Sequence, residues 1–149
     1  MVRISLALGF LPLVSALVFP RQEKNATEIY KFPTTASIEG IGVRSNGNIL
    51  ISRLDSADIF EISPTAKTAV KVATLPGVNA AAAMVEMAPD VFYVVAGSLS
   101  NRAGGGWGIY KVDLNLSPPV ASAFKVIKEG LIFNGLTKFD NDTLLIGDS

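Results

Sequence analysis

The 149-residue chain contains neither cysteine nor histidine. Without histidine there is no Ser-His-Asp or Cys-His catalysis and no imidazole metal site. Without cysteine there is no disulfide and no thiolate ligand, so a secreted domain of this composition must be held by its core alone. A surplus of one charge is missing too: thirteen Lys and Arg face thirteen Asp and Glu, with no basic cluster. That balance leaves no electrostatic footprint for nucleic acid. Ala103-Gly104-Gly105-Gly106-Trp107-Gly108 is rich in glycine, yet no Gly-Lys-Ser/Thr follows it. It is therefore not a phosphate loop but a connection between strands, with Trp107 entering the core. Asp140-Asn141-Asp142 opens as a calcium loop does, but lacks the sixth-position Gly and the twelfth-position Glu. It reads as a hairpin turn.

One long apolar run is present, at the start. Met1-Val2-Arg3 carries a single positive charge, and Ile4 to Phe19 is almost wholly apolar. The run is short of the ~20 residues that a membrane span needs, and Pro12 interrupts it. Val14-Ser15-Ala16 places small residues where a signal peptidase reads. The pattern predicts a signal peptide over residues 1–16 and a domain over 17–149, secreted or lumenal, with no membrane partner. Cleavage would remove Arg3 and leave a charge near −1. Asn25-Ala26-Thr27 and Asn141-Asp142-Thr143 make Asn25 and Asn141 candidate glycosylation sites, whereas Asn115-Leu116-Ser117 is weakened by Pro118.

The rest of the chain repeats itself. Gly40-Ile41-Gly42-Val43-Arg44 leads through a polar turn into Ile49-Leu50-Ile51; Gly135-Leu136-Thr137-Lys138-Phe139 leads through another into Leu144-Leu145-Ile146. A weaker copy, Met84-Val85-Glu86-Met87-Ala88, leads to Tyr93-Val94-Val95. The apolar runs start at 49, 93 and 144, so the period is 44 and then 51 residues. Two short strands and a polar turn at that spacing mark β-propeller blades.

Strands are expected at Thr27–Phe32, Ile41–Arg44, Asn48–Arg53, Ala57–Ile62 and Ala69–Thr74, with turn residues between them. The second unit offers Ala82–Met87, Val91–Ala96, Gly108–Asp113 and Phe124–Ile127; the third offers Leu136–Phe139 and Leu144–Asp148. The alanine run Asn79–Met84 has helical propensity, but its register places it on an innermost strand. The expected fold is all-β, a partial propeller of about two and a half four-stranded blades. A closed propeller needs at least about four blades. The chain is therefore either a truncated product or a half-propeller that pairs with another copy through its open edge.

In such a fold the residue before each inner strand faces the central channel, which selects Glu39, Ala83 and Asn134. Ile38-Glu39-Gly40 and Phe133-Asn134-Gly135-Leu136, leading to Gly147-Asp148-Ser149, resemble the six-bladed senescence-marker-protein/gluconolactonase group. That resemblance implies Glu39 and Asn134 as ligands of a divalent cation, calcium, for lactone hydrolysis. The chain departs from it at Ala83, in the middle ligand position, and the last catalytic Asp would lie beyond Ser149.

A closer resemblance, carried by Ile38–Leu50, Pro89–Gly97 and Trp107–Asp113, is to secreted fungal propeller proteins of secondary-metabolite gene clusters, among them hetero-Diels–Alderases. It implies a cyclase that positions a quinone-methide-like diene and a terpene alkene in an apolar channel. Terpenoid or polyketide substrates follow from it, and no cofactor or metal is expected. Glu39, Asn134 and Asp148 are the channel-lining candidates. A lactonase, or an inactive fragment, is the alternative.

Overall fold

A computed structural model describes residues 26–100 and 106–149. The signal-peptide region, Asn25 and Ala103-Gly104-Gly105 lie outside the described residues. The described chain is all-β, in three antiparallel sheets of four, four and two strands: a partial propeller-like fold.

Sheet 1 runs β1 (Ile38–Val43), β2 (Ile49–Arg53), β3 (Ser56–Ser63) and β4 (Thr68–Thr74) in chain order. Sheet 2 repeats the order with β5 (Ala80–Ala88), β6 (Val91–Gly97), β7 (Trp107–Asp113) and β8 (Val120–Ile127). Sheet 3 holds β9 (Phe133–Lys138) and β10 (Leu144–Asp148). Each strand follows from alternating apolar residues bounded by turn formers such as Asn46-Gly47, where Gly47 takes φ +85°, and Pro89-Asp90, where Asp90 takes φ +56°. The alanine run is a strand, since Ala80, Ala81 and Ala82 are buried between neighbouring sheets where only small side chains fit.

Two expectations need correction. Thr27–Phe32 is not a strand: it pairs with no strand, and Phe32 instead packs edge-on against Phe60, ring centroids 5.3 Å apart, with the Arg53 guanidinium 5.3 Å from its ring. Glu39, Ala83 and Asn134 do not precede their strands either; each lies inside one.

The core has two parts, one on each side of sheet 2, as the two-residue period of a strand requires. Leu50, Ile59, Phe92, Val94, Tyr110 and Val112 fill the space between sheets 1 and 2. Ala80, Ala82, Val95, Trp107 and Phe133 fill the space between sheets 2 and 3. β5 therefore lies between β1 and β9, and the three inner strands stand side by side.

Candidate functional site

The inner strands share an irregularity at one end. Glu39 stands opposite nothing on β2, because Ile38 pairs with Arg53 and Gly40 with the adjacent Ser52. On β5, Ala82 and Ala83 together face Val95, between the pairs Ala81–Ala96 and Met84–Val94. On β9, Asn134 and Gly135 together face Gly147, between Phe133–Asp148 and Leu136–Ile146. Each inner strand thus carries one extra residue, a β-bulge, and a bulge re-aims the side chains it holds. Glu39 and Asn134 are exposed at these bulges and Ala83 is half-buried. Asp148 is already engaged: its Oδ1 accepts the N–H groups of Leu131 at 3.0 Å and Ile132 at 3.1 Å, fixing the entry to β9.

Close packing behind the bulges explains the glycines of the first copy, Gly40 and Gly42. The buried Ser52 hydroxyl donates to the Ala82 carbonyl, joining sheets 1 and 2. A Cβ on Gly40 would stand 2.5 Å from that same carbonyl oxygen, and one on Gly42 would stand 2.9 Å from the Phe92 ring.

At the opposite end of the inner strands, Arg44 ties sheet 1 to sheet 2. Its Nε and Nη2 donate to the two carboxylate oxygens of Asp90, both at 2.8 Å, and its Nη1 donates to Glu61 Oε1 at 2.6 Å. Asn48 also donates to that Glu61 oxygen, and the Asp90 N–H donates to Glu86. The hydrogen bonds from Arg44 hold the Asp90 carboxyl below the usual carboxylate range, and the Arg44 guanidinium is raised in turn, chiefly by Asp90. A bidentate, charge-assisted pair of this kind is a fastener between sheets. At the Glu39 end of sheet 1, the hydrogen bond from Arg53 brings Asp55 down to about 2.

A cleft of about 700 Å³ opens beside the Arg44 end, between the outer half of sheet 2 and the β9–β10 turn. Val91, Tyr93, Ile109, Phe124 and Leu144 form its apolar walls; Lys111, Lys125, Asn141 and Thr143 add polar groups. Phe124 reaches the cleft because β8 has a bulge there: Ile109 pairs with Lys125 and Tyr110 with Ala123, leaving Phe124 unopposed. Its ring meets Tyr93 edge-on at 5.0 Å. Lys111 makes an ion pair with Asp113 at 3.0 Å. Volume and lining fall within the ordinary range of small-molecule sites.

The sequence-selected residues thus gather at one end of the inner strands, while the cleft lies at the other. Neither the cleft nor the Arg44 network was foreseen. The cleft depends on the Phe124 bulge, which leaves no mark in the sequence pattern. Arg44 closes the first repeat and Asp90 sits in the turn after the second, so their pairing was visible only as two charges at repeat boundaries. Asn141 is exposed at the β9–β10 turn. Among the described residues no three His, Cys, Asp or Glu side chains gather as a metal site, and no helix is long and apolar enough to cross a membrane. The chain matches no protein-family model and no curated protein.

Proposed function

We propose that this chain binds small apolar molecules and promotes a hetero-Diels–Alder cycloaddition, in the assembly of terpenoid or mixed terpenoid–polyketide natural products. The observation that carries the reading is the cleft, with its aromatic corner of Tyr93 and Phe124 and lysines at its margin. In such a reaction the C=C–C=O unit of a quinone methide and the C=C of an alkene combine in one step. One C–C and one C–O bond form as three π bonds become one, and no proton or leaving group departs. The chemistry asks for two contributions from the protein. Apolar walls hold the partners in near-attack geometry, an effect that reaches about 7–11 kcal/mol in well-oriented systems. A hydrogen-bond donor on the heterodiene oxygen draws electron density from it, and this reading assigns that task to Lys111 and Lys125, which line the cleft.

Glu39, Asn134 and Asp148 are assigned to the inner-strand channel, where Glu39 and Asn134 would meet polar groups at the far end of a long substrate and Asp148 holds the backbone entering β9. Secretion, and glycans on Asn25 and Asn141, belong to the same reading. The lactonase reading fits the residues less well. Calcium takes about six to eight oxygens, whereas the bulges offer Glu39 and Asn134 with Ala83 between them.

The test uses an ortho-quinone methide generated in situ and an electron-rich terpene alkene, with the dihydropyran product resolved by chiral chromatography. An enantiomeric excess that falls when Lys111 and Lys125 are both changed to Ala is expected. Racemic product at the background rate would end the proposal.

A further inference from the structure

The β1–β2 and β9–β10 pairs are the same unit, displaced by 95 positions. Ile41 pairs with Ile51 and Val43 with Ile49; Leu136 pairs with Ile146 and Lys138 with Leu144. The turns repeat as well, with Arg44 N–H donating to Asn48 and Phe139 N–H donating to Thr143. So do the closing bonds, Leu54 N–H to Ser37 and Ser149 N–H to Ile132. What differs is which face is covered. Leu50 is 0% exposed against sheet 2, while its counterpart Leu145 is 50% exposed. Gly40 is crowded by Ala82, while Gly135 has nothing nearer than a Gly147 backbone atom at 3.9 Å. On the other face the order reverses: Phe133 is 4% exposed against sheet 2, and its counterpart Ile38 is 45% exposed.

The molecule therefore forms one kind of junction twice, sheet 1 onto sheet 2 and sheet 2 onto sheet 3, and leaves the two unmatched halves of a third. We infer that the free face of sheet 3 docks the free face of sheet 1 in a second copy, head to tail, so that Asn134 of one copy stands beside Glu39 of the next. Continuity with the two internal junctions identifies the occupant. Leu145 and Phe139 supply one side; Ile38, Ile41 and Val43 supply the other, and all five are exposed apolar residues. Because the two faces differ, the association is heterologous, and copies add until a ring closes or a filament grows. The candidate channel is incomplete in one copy, since Ala83 stands between Glu39 and Asn134 there, and only the junction between copies would set those two oxygen-bearing side chains next to each other. The junction between copies is also weaker than that between sheets 1 and 2, because Phe139 stands where Arg44 makes its ion pairs. Association then depends on concentration and is little weakened by salt, which screens charged contacts and not apolar ones.

The experiment measures mass by sedimentation, on chain made without glycosylation, so its outcome is independent of the proposed reaction. Wild type should pass from monomer to larger species as concentration rises. Leu145→Glu and Ile41→Glu, both at exposed positions, should each be monomeric alone. Their equimolar mixture should give dimer and nothing larger, since each variant retains the face that the other lacks. As a second measurement, the chain has no native cysteine, so Glu39→Cys/Asn134→Cys should form intermolecular disulfides on mild oxidation. That bond requires Cα atoms within about 7 Å. Wild type that stays monomeric at every concentration, a mixture that stays monomeric, or a double-cysteine chain that forms no intermolecular disulfide would overturn the inference.

Discussion

Sheet 2 is held differently on its two flanks. Among the described residues, its junction with sheet 1 holds eleven buried residues from the two sides together, a buried Ser52–Ala82 hydrogen bond and the bidentate Arg44–Asp90 pair. Its junction with sheet 3 holds, among the described residues, five buried residues from the two sides together and one long-range polar contact, Lys138 Nζ to the Met87 carbonyl at 3.2 Å. The same repeat thus makes a junction fastened along its length and another closed only near the inner strands. The cleft is the unclosed part of the second junction. Burial and openness are divided between the flanks: the first is closed along its length and the second carries the cleft.

The largest expected effect tests that division by emptying the stronger flank. Leu50 is fully buried there. Leu50→Ala should cost about 2–5 kcal/mol, transfer and cavity terms together. The half-buried Ile146 on the weaker flank should cost about 1–2 kcal/mol when cut to Ala, in proportion to the smaller area removed from water. The only tryptophan, Trp107, lies between sheets 2 and 3. Its fluorescence therefore reports the second flank, while circular dichroism reports all the sheets. In urea, Ile146→Ala should separate the two transitions and Leu50→Ala should lower both together. Coincident transitions in Ile146→Ala would show that the flanks are one cooperative unit.

Much of the fold was legible because strand residues declare themselves by period and turn chemistry. The β1–β2 and β9–β10 pairs were placed correctly from the glycine-to-run spacing alone, and Gly40 proves to be glycine because Ala82 lies against it. The middle copy was less legible. Its turn is only Pro89-Asp90, so Ala88 already pairs with Val91; all three inner strands begin two or three residues before the expected Ile41, Ala82 and Leu136, at Ile38, Ala80 and Phe133. Thr27–Phe32 has a strand pattern but no adjacent edge, and aromatic packing on Phe60 decides its conformation instead. Tertiary context overrode local propensity there. Glu39 and Asn134 were expected just before the inner strands and lie within them, because the bulges that present them are a matter of register. Pattern in a single strand does not encode register.

A smaller effect separates the fasteners themselves. Arg44→Ala leaves Asp90 and Glu61 without their cation, with side chains that are largely covered. Hydrogen bonds to charged groups contribute about 1.5–3 kcal/mol, and residual solvent access should keep the loss at the lower end of that range. Lys138→Ala removes one contact to a neutral carbonyl and should cost about 0.5–1 kcal/mol. Thermal melts of the two variants in low salt compare them directly. Equal losses would mean that the ion pairs contribute nothing beyond an ordinary hydrogen bond.

Acid should weaken the two flanks to different extents, and this is the smallest effect expected. Asp90 is held below the usual carboxylate range by Arg44, and Asp55 is held at about 2 by Arg53. Carboxyls with a folded pKa below the unfolded value of about 3.9 bind fewer protons in the folded state. The stability they give is present above about pH 4 and is lost as pH falls through the folded pKa, towards about 2 for Asp55. Asp55, like Asp113 and Asp140, is lowered through partners within its own sheet or turn, so protonating these three loosens no junction between sheets, and Asp90 alone of the lowered carboxyls spans one. The Lys138 contact has no carboxylate to protonate. Amide hydrogen exchange between pH 4 and pH 2, corrected for intrinsic rates, should therefore show protection falling first at the β1–β2 and β5–β6 turns. Protection at β9 should hold longer, and Arg44→Ala should abolish the difference. Protection lost first at β9 would mean that apolar closure, and not the Arg44 ion pair, distinguishes the flanks.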